Sequence, residues 1–321
     1  MILVVAGHAS VDRFYEVDRL RPRSIHRLAP PIVVAGGKGL NVARAARSLG
    51  AEVELLTILA GHSGRWIAES LQAAGIEGSC VWAEGETRTS ISIAERAQPT
   101  AHLTEFYEDS RPIESDTWLE LEARAKHALE RTELLCLSGS LIAGAPVDGY
   151  RRLTDLAHQA GVPVALDSYG VYLLHGIEAA PDLVKVNARE AGDALESDPP
   201  ERDVLSWASR AAAALRTRAG ARTACVITCG SDGMALADAH GDIYRGRLDH
   251  LGRFPVGCGD VALAAFAIAM SERRSWRDAL AAALGAAGAS ASTAGPGLLH
   301  RSEADALTGR AVTERVEAAT E

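Results

Sequence analysis

Apolar and polar positions along the chain alternate between two periods. Short apolar runs recur at Ile2–Ala6, Val53–Leu59, Leu134–Leu137, Val162–Asp167, Leu183–Val186 and Ala224–Thr228. Such runs predict strands buried on both faces. Segments with helical spacing lie between them. Gly39–Leu49 stops at Gly50 and Gly64–Ala74 at Gly75, where a helix C-terminus favours a left-handed residue. Pro146–Ala160 carries proline in its first turn and closes on Gly161. Asp260–Ser271 and Trp276–Ser292 are rich in alanine and apolar nearly all round, which predicts helices buried against a sheet. Strands alternating with helices imply βα units and a mainly parallel sheet, an α/β fold.

Two stretches break this alternation. Residues 11–35 and 87–108 show β-like patterns (Phe14, Tyr15 and Val17; Ile91 and Ile93) with no helix between strands. They predict one small sheet, built from two insertions, that projects over the main fold as a lid. Ligands of α/β proteins bind outside the carboxyl ends of the strands, where such a lid would close. A length of 321 residues accommodates about two domains, or one large α/β domain with an insertion, and a single domain over 1–321 is expected.

Composition narrows the function classes. With 47% hydrophobic and 23% charged residues, the chain is neither disordered, collagenous nor coiled-coil. The longest apolar run, Val261–Met270, is too short to span a bilayer. The opening MILVVAGHAS lacks a basic leader and reads as a buried first strand. A net charge of −9 argues against a nucleic-acid surface. Five cysteines without a CxxC pair suggest reduced thiols in a cytoplasm. Of 33 basic residues only Lys38, Lys126 and Lys185 are lysines. Where Arg is the default cation, a Lys points to a site that needs a compact charge.

Four motifs, three of them glycine-containing, carry candidate chemistry. Gly257-Cys258-Gly259-Asp260 opens an apolar helix, so its N–H groups and the helix dipole make an anion hole beside a carboxylate. A simple Asp260 N-cap is the structural alternative. The helix terminus is also expected to lower the Cys258 thiol pKa. Gly36-Gly37-Lys38-Gly39-Leu40-Asn41 again sets glycines before a helix, with a cation and an amide in the first turn, but without P-loop spacing. In Lys185-Val186-Asn187-Ala188-Arg189-Glu190, Asn187 and Glu190 share a helix face. That suits water-mediated Mg²⁺ or phosphate binding, or else a capping box. Thr228-Cys229-Gly230-Ser231-Asp232-Gly233 runs from a strand into a glycine turn. Asp12, Arg88 in GETRTS, and Ser138 in LSGSL are further candidates at strand ends and turns.

Together and in this order, these segments resemble the ribokinase/PfkB family of sugar kinases over nearly the whole chain. The resemblance implies a ribokinase-like three-layer α/β/α sandwich with a β-sheet lid, which often pairs with its twin in a homodimer. It implies ATP and Mg²⁺ as cofactors and a small sugar as substrate, with neither nucleic acid nor membrane as partner. GETRTS and LSGSL look like the branch acting on sugar phosphates, namely 1-phosphofructokinase, tagatose-6-phosphate kinase and the minor 6-phosphofructokinase. There, residues matching Lys38, Arg88 and Ser138 line the site of the existing phosphate, and Asp12, Gly37 and Asn41 would hold sugar hydroxyls. Asp260 would be the general base, with Gly257, Cys258 and Gly259 stabilising the transferred phosphoryl group. Asn187 and Glu190 would order the metal's water shell, and Lys185, Thr228, Gly230 and Gly233 would border the nucleotide. A kinase of a free sugar or nucleoside, and a catalytically silent sugar-phosphate sensor, are the alternatives.

Departures from the family pattern sit near these positions. Cys258 replaces the alanine of GAGD, Pro255-Val256 stands where threonine is common, and Val186 replaces the proline of KPN. Gly7-His8-Ala9-Ser10 occupies the place of an Asn-Pro segment. The sugar's identity is therefore left open by the sequence.

Overall fold

The computed structural model describes residues 1–96 and 102–316. The elements begin with β1 (Ile2–Ala6), β2 (Ser10–Val17), β3 (Ile32–Gly36), α1 (Lys38–Ser48), β4 (Val53–Ala60), α2 (Gly61–Ala73), β5 (Glu77–Ala83), β6 (Thr89–Glu95) and β7 (His102–Tyr107). The middle of the chain adds α3 (Ser115–Leu129), β8 (Leu134–Ser138), α4 (Gly149–Gln159), β9 (Val164–Asp167), α5 (Gly170–Ile177), β10 (Leu183–Asn187), α6 (Ala188–Leu195) and α7 (Val204–Ala219). The last part holds β11 (Ala224–Thr228), β12 (Met234–Ala237), β13 (Ile243–Arg247), α8 (Cys258–Ser271), α9 (Trp276–Ser292), α10 (Arg301–Thr308) and β14 (Val312–Val316).

Ten strands form one sheet in the order β14-β13-β12-β11-β10-β9-β8-β1-β4-β5. From β11 to β5 every pairing is parallel, and β12–β14 add an antiparallel edge. Alternate residues of β1 enter opposite cores. Ile2, Val4 and Ala6 pack with α1, α2, α8, α9 and α10, while Leu3 and Val5 pack with α3–α7. Three layers result, as the family resemblance implies. Helix α8 buries residues around its whole circumference, among them Val261, Leu263 and Phe266, in keeping with its apolar sequence.

The chain turns in opposite directions on either side of β1. It proceeds outward through β4 and β5, then returns to build β8, β9, β10 and β11 on the other side. The β1/β8 boundary is thus the topological switch point, where the carboxyl ends of strands part into a crevice. A second sheet, β3-β2-β6-β7, covers this crevice. Its strands come from both predicted insertions, with β2 and β6 pairing in parallel. Residues 97–101 of the predicted lid lie outside the described residues. The Phe14 ring meets Phe254 edge-on at 5.9 Å and seats the lid on the segment before α8.

Some boundaries differ from the periodicity. Residues 146–148 form a turn closed by Gly149 N–H donating to the Pro146 carbonyl, so the helix starts at Gly149. Helix α2 begins at Gly61, ahead of the expected Gly64, because Glu86 from a distant loop caps it. No helix among the described residues is long and apolar enough to cross a membrane.

Candidate active site

A cleft of about 580 Å³ lies between the lid and the carboxyl edge of the sheet. Of the residues singled out in the sequence, Asp12, Gly37, Lys38, Asn41, Arg88, Lys185, Asn187, Glu190, Thr228, Gly230, Gly257, Cys258, Gly259 and Asp260 line it. Two do not. Ser138 is the last residue of β8 and only 1% exposed, its hydroxyl without a partner among the described residues; Ser140, beyond the turn, reaches the cleft instead. Gly233 also lies off the cleft. It has a φ of +114°, and a Cβ there would meet the Gly246 carbonyl at 2.1 Å. Its glycine is required by close packing of the β12–β13 hairpin.

Asp260 sits in the first turn of α8 and is almost fully buried. The Asn41 amide donates to its Oδ2 at 2.8 Å. Burial, followed by the nearby Asp167 carboxylate, pushes the Asp260 pKa up to about 6, against the pull of Lys38 and Lys185. Gly257, at φ +81°, caps the helix without a side-chain bond, so Asp260 is not the N-cap. A Cβ on Gly257 would meet the Gly297 N at 2.3 Å, and one on Gly297 would meet the Asn41 Cβ at 2.8 Å. Two glycines thus let the backbone press against Asn41. The Cys258 N–H donates to the Pro255 carbonyl at 3.4 Å, whereas those of Gly257 and Gly259 have no partner among the described residues. They can receive an anion at a helix N-terminus.

The Cys258 thiol corrects an expectation. Burial pushes its pKa up to about 11, and its Sγ lies 3.4 Å from the Phe254 carbonyl oxygen, so the helix terminus does not activate it. Desolvation of the thiolate outweighs the dipole.

Two lysines meet on one buried aspartate that the sequence did not single out. Asp167, at the end of β9, is fully buried and paired with Lys185 Nζ and, at 3.2 Å, with Lys38 Nζ. Lys38 also reaches Glu190 Oε1 at 2.8 Å and lies over the Tyr169 ring. Lys185 is 3% exposed and donates to the Gly259 carbonyl at 3.2 Å. It braces the loop before Asp260 while lining the same cleft as Thr228 and Gly230. Asn187 and Glu190 form the complete capping box of α6, each side chain bonding the other's backbone N–H. The capping and cleft-lining readings therefore hold together: Glu190 serves the helix with Oε2 and faces Lys38 with Oε1.

The lid's contribution comes from the GETRTS segment. Glu86 accepts the N–H groups of His62 and Ser63 at 3.0 Å each, and those bonds hold its pKa down at about 2. Thr87 Oγ1 bonds both N–H and C=O of Ala60. These two anchors aim Arg88 into the cleft, beside the Tyr107 ring at 6.0 Å. Among the described residues Arg88 has no ion pair, and its Nε is buried without a partner. Ser90 and Ser92, on the same face of β6, also line the cleft. Asp12 accepts the Ser10 hydroxyl at 2.5 Å and the Gly37 N–H at 3.4 Å. His8, in the bend between β1 and β2, joins Ser110 Oγ (2.5 Å) and Ser140 Oγ (3.3 Å), and burial with the nearby Arg88 lowers its pKa to about 4. Sequence reasoning missed His8, Ser140, Asp167 and Tyr169 as cleft residues, since no spacing rule joins them.

Solved structures of other proteins share this fold. Phosphofructokinase-2 from Escherichia coli, in its tetrameric inhibited form, superposes with a TM-score of 0.85 at 20% identity, covering 96% of this chain and 98% of that one. The same enzyme in complex with fructose-6-phosphate gives 0.82 at 21% identity, over 96% and 97% of the chains. A protein from Thermotoga maritima described as a possible 1-phosphofructokinase gives 0.86 at 20% identity, over 98% and 99%. At such identities the likeness establishes the fold. The profile of the pfkB family carbohydrate kinases matches residues 2–314. The chain thus belongs to the pfkB family of carbohydrate kinases, phosphotransferases with an alcohol acceptor.

Proposed function

We propose that this kinase transfers the γ-phosphate of MgATP to a hydroxyl of a phosphorylated ketohexose, of the fructose- or tagatose-phosphate type. The observation that carries the acceptor class is Arg88. Lys38 and Lys185 are engaged by Asp167 and Glu190. Arg88 enters the same cleft with no ionic partner among the described residues, in a protein of net charge −9. A guanidinium so placed suits a phosphate already on the substrate, which it can hold through paired hydrogen bonds. Ser90, Ser92 and Ser140 supply neutral donors around it.

Asp260 accepts the proton of the attacking hydroxyl as the hydroxyl oxygen approaches the γ-phosphorus in line. The N–H groups of Gly257 and Gly259 receive charge on the transferring phosphoryl oxygens. Asp12 and Gly37 meet the sugar, while Asn41 is turned to Asp260 and acts through it. Thr228 and Gly230 border the nucleotide; Gly230 has open space where a side chain would stand. No cluster of three or more His, Cys, Asp or Glu fit to hold a metal exists among the described residues. Magnesium bound with ATP would neutralise phosphate charge, and Asn187 and Glu190, both lining the cleft, would order its water shell. The lid excludes water from this chemistry.

The lid's outer face supports a homodimer. Arg13, Ile91 and Phe106 are lateral neighbours in the sheet register, and Phe106 is 55% exposed. The five free cysteines suit a cytoplasmic setting.

ADP release across a panel of free and phosphorylated sugars tests the reading. A phosphorylated ketohexose should give the highest kcat/KM. A better free sugar overturns the acceptor class, and absence of turnover with every acceptor favours a silent sensor.

A further inference from the structure

Asn41 can hold Asp260 only with its amide turned one way. Its Nδ2 donates to the Asp260 carboxylate, whereas its Oδ1 in the same place would oppose it. Nothing in the amide's shape prefers one orientation, because the two ends are nearly isosteric. The preference comes from one turn further along α1. Arg44 donates from one terminal nitrogen to Asn41 Oδ1 at 2.6 Å. A guanidinium has only donors, so it accepts only the oxygen end of the amide and directs the nitrogen end to Asp260.

Arg44 is itself fixed by backbone carbonyls from two other segments. It donates to the Ala35 carbonyl at 2.8 Å, near the end of lid strand β3. It also reaches the Pro296 carbonyl at 3.4 Å, beside the Gly297 that presses on Asn41. Among the described residues it forms no salt bridge, and the carboxylates whose field it feels are Asp12 and Asp260. A half-buried cation without an ion pair, yet bonded on both terminal nitrogens, is costly to keep for packing alone.

On the reading that Asp260 is the general base, we infer that Arg44 is its positioning residue, acting through Asn41 and tying the base to the root of the lid. Lys38 and Arg44 from α1, Asp167 from β9 and Lys185 from β10 are the charged groups facing Asp260, the Cys258 thiol of α8 is its titratable neighbour, and Asp12 from β2 faces Arg44. Loss of Arg44 removes one cation from that balance and frees the amide to turn.

Three variants test this: Arg44→Met, Arg44→Lys and Asn41→Ser. Arg44→Met should lower kcat roughly 10- to 100-fold, the scale of a misplaced catalytic group, with the acceptor KM changed less than about threefold. The acid limb of its pH–rate profile should move up by about half a pH unit or more. Because Arg44→Met could fail to fold, the deciding measurement uses Arg44→Lys, which keeps the charge but not the fork. Its kcat loss should disappear when Asn41→Ser is already present, the non-additivity expected of one relay. Additive losses in that double-mutant cycle, or an Arg44→Met enzyme with an unmoved acid limb, overturn the inference. Asp260→Asn separates the two readings: if it retains activity within about tenfold, the base assignment fails whatever Arg44 does.

Discussion

Lys38 and Asp167 stand 129 positions apart in the chain, and their charged groups meet at 3.2 Å in the floor of the cleft. Asp167 also holds Lys185, so one fully buried carboxylate carries two lysines. These cations hold its pKa below the usual range despite burial. A depressed carboxylate contributes stability that is present above its unfolded pKa and lost as pH falls through the folded value. Replacing it strands two cations in the interior. Asp167→Ala should therefore cost about 3–5 kcal/mol at neutral pH, measured by urea denaturation. A cost below about 1 kcal/mol would mean that the lysines find other partners.

Asp260 has the opposite sign. Its raised pKa, about 6, means that ionisation costs stability as pH rises from the ordinary carboxylate value to 6. Asp260→Asn should thus raise the thermal midpoint at pH 8 and change it little near pH 4, worth roughly 1–3 kcal/mol at 1.36 kcal/mol per pKa unit. The same variant should lose about 10²- to 10⁴-fold in kcat. A stabler, inactive protein is the signature of a catalytic group, and equal midpoints at both pH values would contradict it.

Activity should follow that titration. Since the base must be ionised in the free enzyme, kcat/KM should fall below about pH 6, the value to which Asp260 is raised. A profile flat down to pH 5 would show that another group takes the proton.

Arg88→Ala should raise the KM for a sugar phosphate by roughly 10- to 150-fold, the range of one hydrogen bond or more to a charged group. The KM for ATP should change little. If the sugar-phosphate KM stays within about twofold, Arg88 is only a lid residue and the phosphosugar reading falls.

Cys258→Ala should keep activity, because the loop contributes N–H groups and no thiol chemistry. With its pKa near 11, Cys258 should also alkylate more slowly than a free thiol in solution at pH 8. Rapid iodoacetamide labelling at Cys258 by peptide mapping would contradict the burial argument.

Much of this protein is local and was legible in its sequence. The double-faced apolar runs of β1, β4, β8, β10 and β11 could only be buried parallel strands, and their glycine-stopped neighbours could only be helices. The anion-hole glycines and Asp260 are adjacent in sequence, so local geometry alone places a carboxylate at a helix N-terminus. The Asn187–Glu190 pair is likewise a matter of one helical turn. What only the tertiary structure decided is which distant residues share the cleft. Asp167 ends a strand whose neighbours in the sheet are β8 and β10, and no period announces that two lysines converge there. Ser138 and Ser140 look equivalent in LSGSL, and the chain's path after β8 alone turns the second to the cleft. Cys258 has an activating local context, yet the burial that overrides it is supplied by the surrounding fold. Hydrogen bonds along one helix turn or one loop follow from spacing. Charges that meet across the sheet follow from the order of its strands.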